Sequence, residues 1–242
     1  KDADVIILNE MDLGMSRSDQ QHTTRLLAFM LGMNYAWGVE FMELTVGTRQ
    51  EQAKFGAVPN FHGLHGNAFL THCQIHDTVL FRDPLGPYFN RKASWINADG
   101  FERRLGGRMG IFGRIEWGKR TIAIGSTHKL EGHGAAIRKY IGNDHAVTAG
   151  DDERSICKRF GLANIDNVKH ETYPSSCTTN GEYRGDNVCS NLGIYAPDTV
   201  KRPCYNRFGV QTTLSDHAVV TVRLQLPHIP PLRHVTKSGL GI

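Results

Sequence analysis

An α/β fold of the α+β type, built on mixed β-sheets, is predicted by three features of this sequence. Val5-Ile6-Ile7-Leu8 is an unbroken, mostly β-branched apolar run of the kind found in strands covered on both faces. Helical patterns occur at only three places, too few for a strict alternation of strand and helix. The apolar runs at 109–117 and 120–126 are joined by Gly118-Lys119, which leaves room for a hairpin and none for a crossover helix.

Taken in order, the strand at 5–8 ends at Asn9-Glu10. A helix follows over 21–31, with Leu26, Leu27, Met30 and Leu31 on one face and Gly32 as its C-terminal stop. Strands are predicted at 35–39, 67–71, 78–82, 109–117, 120–126, 145–149, 187–195 and 218–224. The other helices are predicted at 135–141 and 153–160. Residues 83–107 carry Asp83-Pro84-Leu85-Gly86-Pro87 and Gly106-Gly107 and read as a long loop, of the sort that carries function inside a domain. Beyond Pro227, His228-Ile229-Pro230-Pro231 cannot join a central strand, so 227–242 is expected to run as an extended tail behind a single domain at 1–226. A buried-type strand so close to Lys1 carries the expectation of an upstream strand outside this sequence.

With 242 residues, 40% hydrophobic and 21% charged, the chain has ordinary globular composition, which excludes a disordered class. Its apolar runs fall far short of the roughly 18 residues that a membrane-spanning helix needs. The net charge of +4 is too small to indicate a nucleic-acid partner, but its distribution is uneven: −3 over 1–60, +6 over 61–140 and +1 over 141–242. Arg82, Arg91, Lys92, Arg103, Arg104, Arg108, Arg114, Lys119 and Arg120 supply that surplus. Either they form a solvated face or some of them, Arg108 included, contact a phosphate-bearing substrate.

The 5 cysteines contain no Cys-x-x-Cys pair, so structural zinc is not expected. Cys177, Cys189 and Cys204 leave room for one disulfide, while the odd count and the lack of an Asn-x-Ser/Thr acceptor weaken a secretory reading; the compartment stays open. Gly113 to Lys119 fits most of a phosphate-binding P-loop, but Arg120 replaces the Ser or Thr and the flanks are strands, so it reads as a hairpin turn. His62 and His65 have helical metal-ligand spacing in a glycine-broken segment, which favours loop hydrogen bonding.

What remains is a repeated design, in which a short apolar strand meets acidic or imidazole side chains at one end. Glu10 follows the strand at 5–8, His128 follows Thr121 to Gly125, Asp151 follows Ala146 to Gly150, and Asp216-His217 precedes Ala218 to Val222. In a mixed sheet an antiparallel strand enters at the edge where its neighbours leave, so all four can meet at one rim, where open α/β sheets place their ligands. Carboxylates and imidazoles without a thiolate suit a hard cation, Mg²⁺ or Mn²⁺ before Zn²⁺. Such a set hydrolyses phosphoesters: the cation polarises phosphoryl oxygens, a carboxylate or imidazole orients and deprotonates water, and an imidazolium neutralises charge building on phosphorus.

These residues resemble the endonuclease/exonuclease/phosphatase superfamily with the deoxyribonuclease I-like fold. Asp4-Val-Ile-Ile-Leu-Asn-Glu10 looks like its metal-binding glutamate motif, Gly66-Asn-Ala-Phe-Leu70 like its "GNAIL" strand, and Ser126-Thr-His128 like its "TH" motif. Gly150-Asp151 looks like the start of "GDFN", Arg184-Gly-Asp186-Asn-Val188 like "IDYI", and Ser215-Asp-His217 like the closing "SDH". The resemblance covers residues 4 to about 224. It implies a four-layer sandwich of two mixed sheets flanked by helices, lacking its first strand here. It further implies that Glu10 binds the cation with Asp216 as a second carboxylate, and that Asp151 orients or activates water. His128 would contact the phosphate or leaving group, and His217, oriented by Asp186, would act on the scissile phosphate. Asn67 of the "GNAIL"-like strand joins Arg108 as a substrate contact.

Two departures stand out. Glu153 occupies the place of the family's Asn, and a carboxylate beside a phosphate repels it unless it binds metal, which makes Glu153 a third candidate ligand. The family's first motif has no counterpart in this sequence. The expected activity is a divalent-metal-dependent phosphodiesterase whose phosphate-ester substrate could be nucleic acid, with no obligate protein partner evident. The alternatives are a sphingomyelinase-like or inositol-phosphate-type phosphoesterase, or a non-catalytic binding module on the same fold.

Overall fold

Side chains alternate along the segment 109–128 so that Ile111, Ile115, Ile122 and Ile124 face one way and Phe112 and Ala123 the other. Both faces are apolar, so both must be covered, and the layering follows from that requirement. The computed structural model describes residues 3–83, 103–130, 132–151, 155–165, 186–201, 204–207, 210–213 and 219–226.

In chain order the elements are β1 (Val5–Leu13), α1 (Thr23–Leu31), β2 (Asn34–Glu43), α2 (Arg49–Phe55), β3 (Leu64–Thr71), β4 (Ile75–Arg82) and β5 (Arg104–Gly106). There follow β6 (Met109–Trp117), β7 (Arg120–His128), α3 (Gly134–Ile141), β8 (His145–Asp151), α4 (Ile156–Phe160) and β9 (Ala163–Asn164). The last are β10 (Asp186–Ser190), β11 (Gly193–Lys201), β12 (Cys204–Arg207), β13 (Val210–Thr213) and β14 (Val219–Gln225). One sheet has the order β1-β3-β2-β5 and is antiparallel throughout. The other has the order β4-β6-β7-β8-β10-β9 and is mixed, with β7 and β8 parallel and α3 between them in the chain. Separate antiparallel pairs form from β11 with β14 and from β12 with β13.

Ala36 and Phe69 of the first sheet pack against Met109, Ile111, Ile115, Ile122 and Ile124 of the second. The second sheet's other face, with Phe112, Ala123 and Ala146, packs on Ile137 and Ile141 of α3 and on Ile156 and Phe160 of α4. Ala68 and Leu70 on the first sheet's outer face meet Ala28 of α1. The result is helix, sheet, sheet, helix, with each fully buried Phe or Ile contributing about 1.5–3 kcal/mol. Gly118 adopts the left-handed backbone in the β6–β7 turn, as a hairpin at that site requires.

Several predicted boundaries move. β3 begins at Leu64, so His65 lies in a strand and not in a loop. Its neighbour Gly66 is there because the carbonyl of Gly38 leaves no space for a Cβ, not to break the chain. The single strand predicted at 187–195 is two, in different sheets. Asn191 turns the chain between them, its amide donating to the Asp144 carbonyl and its side-chain oxygen accepting from the Ala146 N–H. Helix α2 was not predicted, since none of its residues is buried and it shows no apolar stripe; its one sequence signal is the Thr48/Glu51 capping box. The described part of the helix predicted at 153–160 starts at Ile156, and β5 occupies the end of the predicted loop at 83–107. Cys189 pairs with Cys157, joining α4 to β10, rather than with Cys177 or Cys204. The predicted tail at 227–242 and the basic loop at 84–102 lie outside the described residues.

Candidate active site at the sheet rim

The parallel register of β7 and β8 pairs His128 with Asp151, and the antiparallel register of β8 and β10 pairs Asp151 with Asp186. Three of the predicted positions therefore form one row across the end of the mixed sheet. Gly150 allows this close pairing, because the Thr127 carbonyl fills the space that a Cβ would take. Glu10 arrives from the other sheet. In β1 the pairing with β3 slips between Leu8 and Met11, so that Asn9 and Glu10 bulge opposite Asn67. Glu10 there takes the left-handed backbone, φ 58°, which is uncommon outside glycine.

Asn67 holds this bulge. Fully buried, it accepts from the Asn9 amide and from the Glu10 N–H, both at 3.4 Å, and donates to Met109 Sδ at 3.2 Å. Asn9 also donates to the Thr127 carbonyl at 2.6 Å, tying the bulge to the second sheet. The side chain of Asn67 thus supports Glu10 from below instead of facing a substrate.

His128 is the centre of the site and is 3% exposed. Its Nδ1 donates to Glu40 Oε2 at 2.7 Å, and its Nε2 lies 3.5 Å from Asp151 Oδ2 and 4.0 Å from Glu10 Oε1. Arg108 Nη1 donates to the other oxygen of Glu40 at 2.7 Å and lies 3.2 and 2.9 Å from the two ring nitrogens. One atom at such similar distances from both nitrogens stands over the ring face, leaving the in-plane N–H groups to the carboxylates. Burial alone would weaken the imidazolium, but Asp151 and Glu40 outweigh it and raise its pKa from 6.5 to about 9. Burial would likewise raise the Asp151 carboxyl, yet His128 and Lys129 hold it at about 2. Glu40, with no exposed surface, stays below its ordinary value against the cost of burial because His128 and Arg108 face it.

A second charged cluster adjoins the first. Arg17 grips both oxygens of Asp12 at 2.9 and 2.8 Å and reaches Glu51 at 2.8 Å, while His65 contacts Asp12 at 2.7 Å and stacks on Phe41. Burial opposes the charge on Asp12, and Arg17 and His65 override it, so its pKa falls to about 2.

Of the predicted residues, Glu10, Asn67, Arg108, His128 and Asp151 come together. Asp186 is aligned through its backbone, while Glu153, Asp216 and His217 lie outside the described residues. Glu40 was missed, although it follows the apolar run at 35–39 in the same strand-then-carboxylate pattern that marked Glu10 and Asp151. Among the described residues no group of three or more His, Cys, Asp or Glu is placed to hold a metal ion. The carboxylates of Glu10 and Asp151 are nonetheless hard donors, and Mg²⁺ commonly takes one or two carboxylates, leaving its other positions to water and phosphate oxygens. Half-exposed Glu10 fits that chemistry best.

No family model matches the sequence, and no curated protein matches it either. Solved structures do match the fold. An endonuclease/exonuclease/phosphatase family protein from Bacteroides thetaiotaomicron is 15% identical, with a TM-score of 0.56 over 92% of this chain and 83% of that one. A 3′ phosphatase from Neisseria, bound to a product DNA hairpin, is 12% identical, with a TM-score of 0.53 over 92% and 89% of the two chains. A mannosyl-6-phosphatase from the same Bacteroides species is 12% identical, with a TM-score of 0.50 over 84% and 89%. The fold is that of the endonuclease/exonuclease/phosphatase proteins, the deoxyribonuclease I-like sandwich.

Proposed function

We propose that this deoxyribonuclease I-like chain is a divalent-metal-dependent phosphoester hydrolase, with a phosphodiester of nucleic acid as its substrate. The observation that carries the reading is the buried His128 imidazolium. Glu40 holds it from behind, and its Nε2 faces the two carboxylates Glu10 and Asp151 at the sheet rim. A preorganised cationic donor of this kind favours the extra negative charge that builds on phosphoryl oxygens during displacement, and it needs no reorganisation to do so.

Each residue then has a role. His128 donates from Nε2 to a phosphoryl oxygen, while Glu40 and Arg108 fix the ring. Asp151, held ionised, accepts a hydrogen bond from the attacking water and so orients it; a carboxylate with a pKa of about 2 is a poor proton acceptor. His217 with Asp186 is the pair proposed to take the water's proton, and Glu10 with Asp216 and Glu153 the set proposed to hold Mg²⁺ or Mn²⁺. When bound, the cation supplies polarisation of the phosphoryl oxygens and stabilisation of the leaving oxygen. The neighbour bound to a DNA hairpin supports nucleic acid as the substrate. Of the basic surplus over 61–140, Arg104, Arg108 and Arg114 form ion pairs with Glu43, Glu40 and Asp144 and so add little to that support.

The test is hydrolysis of bis-(p-nitrophenyl) phosphate and of plasmid DNA with Mg²⁺, Mn²⁺ or EDTA, for the wild type and His128→Gln. Turnover should require the metal, extend to the plasmid, and fall at least about 100-fold in the variant. Metal-independent turnover, or a variant as fast as the wild type, would overturn the mechanism.

A further inference from the structure

We infer that Lys129, the residue after the rim histidine, is a phosphate-binding residue of this site, contacting the oxygens of the substrate's phosphoryl group from the solvent side. The inference rests on the phosphoesterase reading above and adds to it a ligand contact that Asp151, Glu10 and His128 do not supply. The geometry begins at one atom. Asp151 Oδ2 lies 3.3 Å from Lys129 Nζ and 3.5 Å from His128 Nε2, so an ammonium and an imidazolium converge on the same oxygen. They differ in exposure: the His128 side chain is 4% exposed and that of Lys129 is 52% exposed. An anion arriving from solvent meets Lys129 first and His128 behind it.

The backbone starts the Lys129 side chain beside Asp151. Lys129 has φ 47°, a left-handed conformation that a non-glycine residue adopts at some cost, and its N–H donates to the Asp151 carbonyl at 2.9 Å. This bond carries the β7–β8 register past the end of β7, so the Lys129 stem leaves the sheet beside Asp151. The ammonium has three N–H donors, and the contact with Asp151 uses one direction only. A half-exposed ion pair of this length is weak, which leaves the cation able to share itself with a stronger anion. A phosphoryl group carries several acceptor oxygens and matches two cations spaced around one oxygen position. Lys129 would therefore bind substrate in the ground state and the transition state alike, and act on KM more than on kcat.

Titration of inorganic phosphate into the full chain in EDTA, followed by calorimetry, separates this contact from catalysis. The series is the wild type, Lys129→Met, Lys129→Arg and, as a distant control, Arg25→Ala on the exposed side of α1. Lys129→Met should weaken phosphate binding about tenfold, Lys129→Arg should recover most of it, and Arg25→Ala should match the wild type. In steady-state hydrolysis of DNA, Lys129→Met should raise KM with kcat nearly unchanged and reduce the salt slope of log KM by about one. Phosphate affinity unchanged in Lys129→Met, or absent from the wild type, would overturn the assignment. So would a fall in kcat with unchanged KM, which would make Lys129 a positioning residue for Asp151. A wild type that binds phosphate through Lys129 yet hydrolyses no ester would instead remove the catalytic reading and leave the binding site standing.

Discussion

His128 joins charge, burial and position in one residue. Its folded-state pKa of about 9 lies above the ordinary 6.5, so the stability it contributes is fully present below pH 6.5 and is lost as pH rises through 9. Urea unfolding midpoints should therefore fall across that window. Glu40→Gln removes the buried anion that supports the imidazolium, so it should flatten the fall and cost about 3–5 kcal/mol at neutral pH, read from the same midpoints. The opposite result, a steeper fall in the variant, would mean that Glu40 does not hold the proton on His128. At this scale the sequence is legible where a polar side chain ends an apolar run, as at Glu10, His128 and Asp151. It is not legible where the partner is distant: Glu40 and His128 are 88 residues apart in the chain. Asn67 shows the same limit, because its type and motif suggest a ligand contact while its burial turns it toward the Glu10 bulge.

The elements that position the site are held by different devices, and one of them is covalent. Cys157 in α4 and Cys189 in β10 are buried and bonded across 32 residues, which ties the strand that carries Asp186 to the helix beneath it. Reduction, or the paired change Cys157→Ala with Cys189→Ala, should lower stability by about 2–4 kcal/mol, measured as the shift in urea midpoint with and without dithiothreitol. An unchanged midpoint would show that packing alone fixes β10. Apolar patterning made α3, β6 and β7 readable in advance. Helix α1 was readable as a helix, but of its expected apolar face Leu27 and Leu31 pack around Ala28 while Leu26 and Met30 are exposed. Helix α2 was unreadable by that means because it buries no residue and rests on its cap and on the Arg17–Glu51 ion pair. The break between β10 and β11 escaped for a related reason: Asn191 turns the chain by bonding to β8 and the loop before it, which are distant in sequence.

Two sheets contribute to one site, Glu10 from the antiparallel sheet and His128 and Asp151 from the mixed one. A cation held at Glu10 would thus bind the folded molecule and not the unfolded chain. Mg²⁺ or Mn²⁺ added to EDTA-treated protein should raise the thermal midpoint, by the equivalent of about 2.7 kcal/mol at a hundred times Kd, and Glu10→Gln should abolish the rise. An equal rise in the variant would place the cation elsewhere. From sequence alone came the class of fold, the strand ends that carry polar groups and the family they resemble. Each of these is written locally, in the repeat of apolar residues and in short motifs. The tertiary structure alone decided that Glu40 and Arg108 clamp His128, that Asn67 supports a bulge, and that Lys129 and His128 share an oxygen of Asp151. Those relations depend on which strands become neighbours, in what register and on which face, and burial across many contacts sets that choice rather than any residue's immediate neighbours.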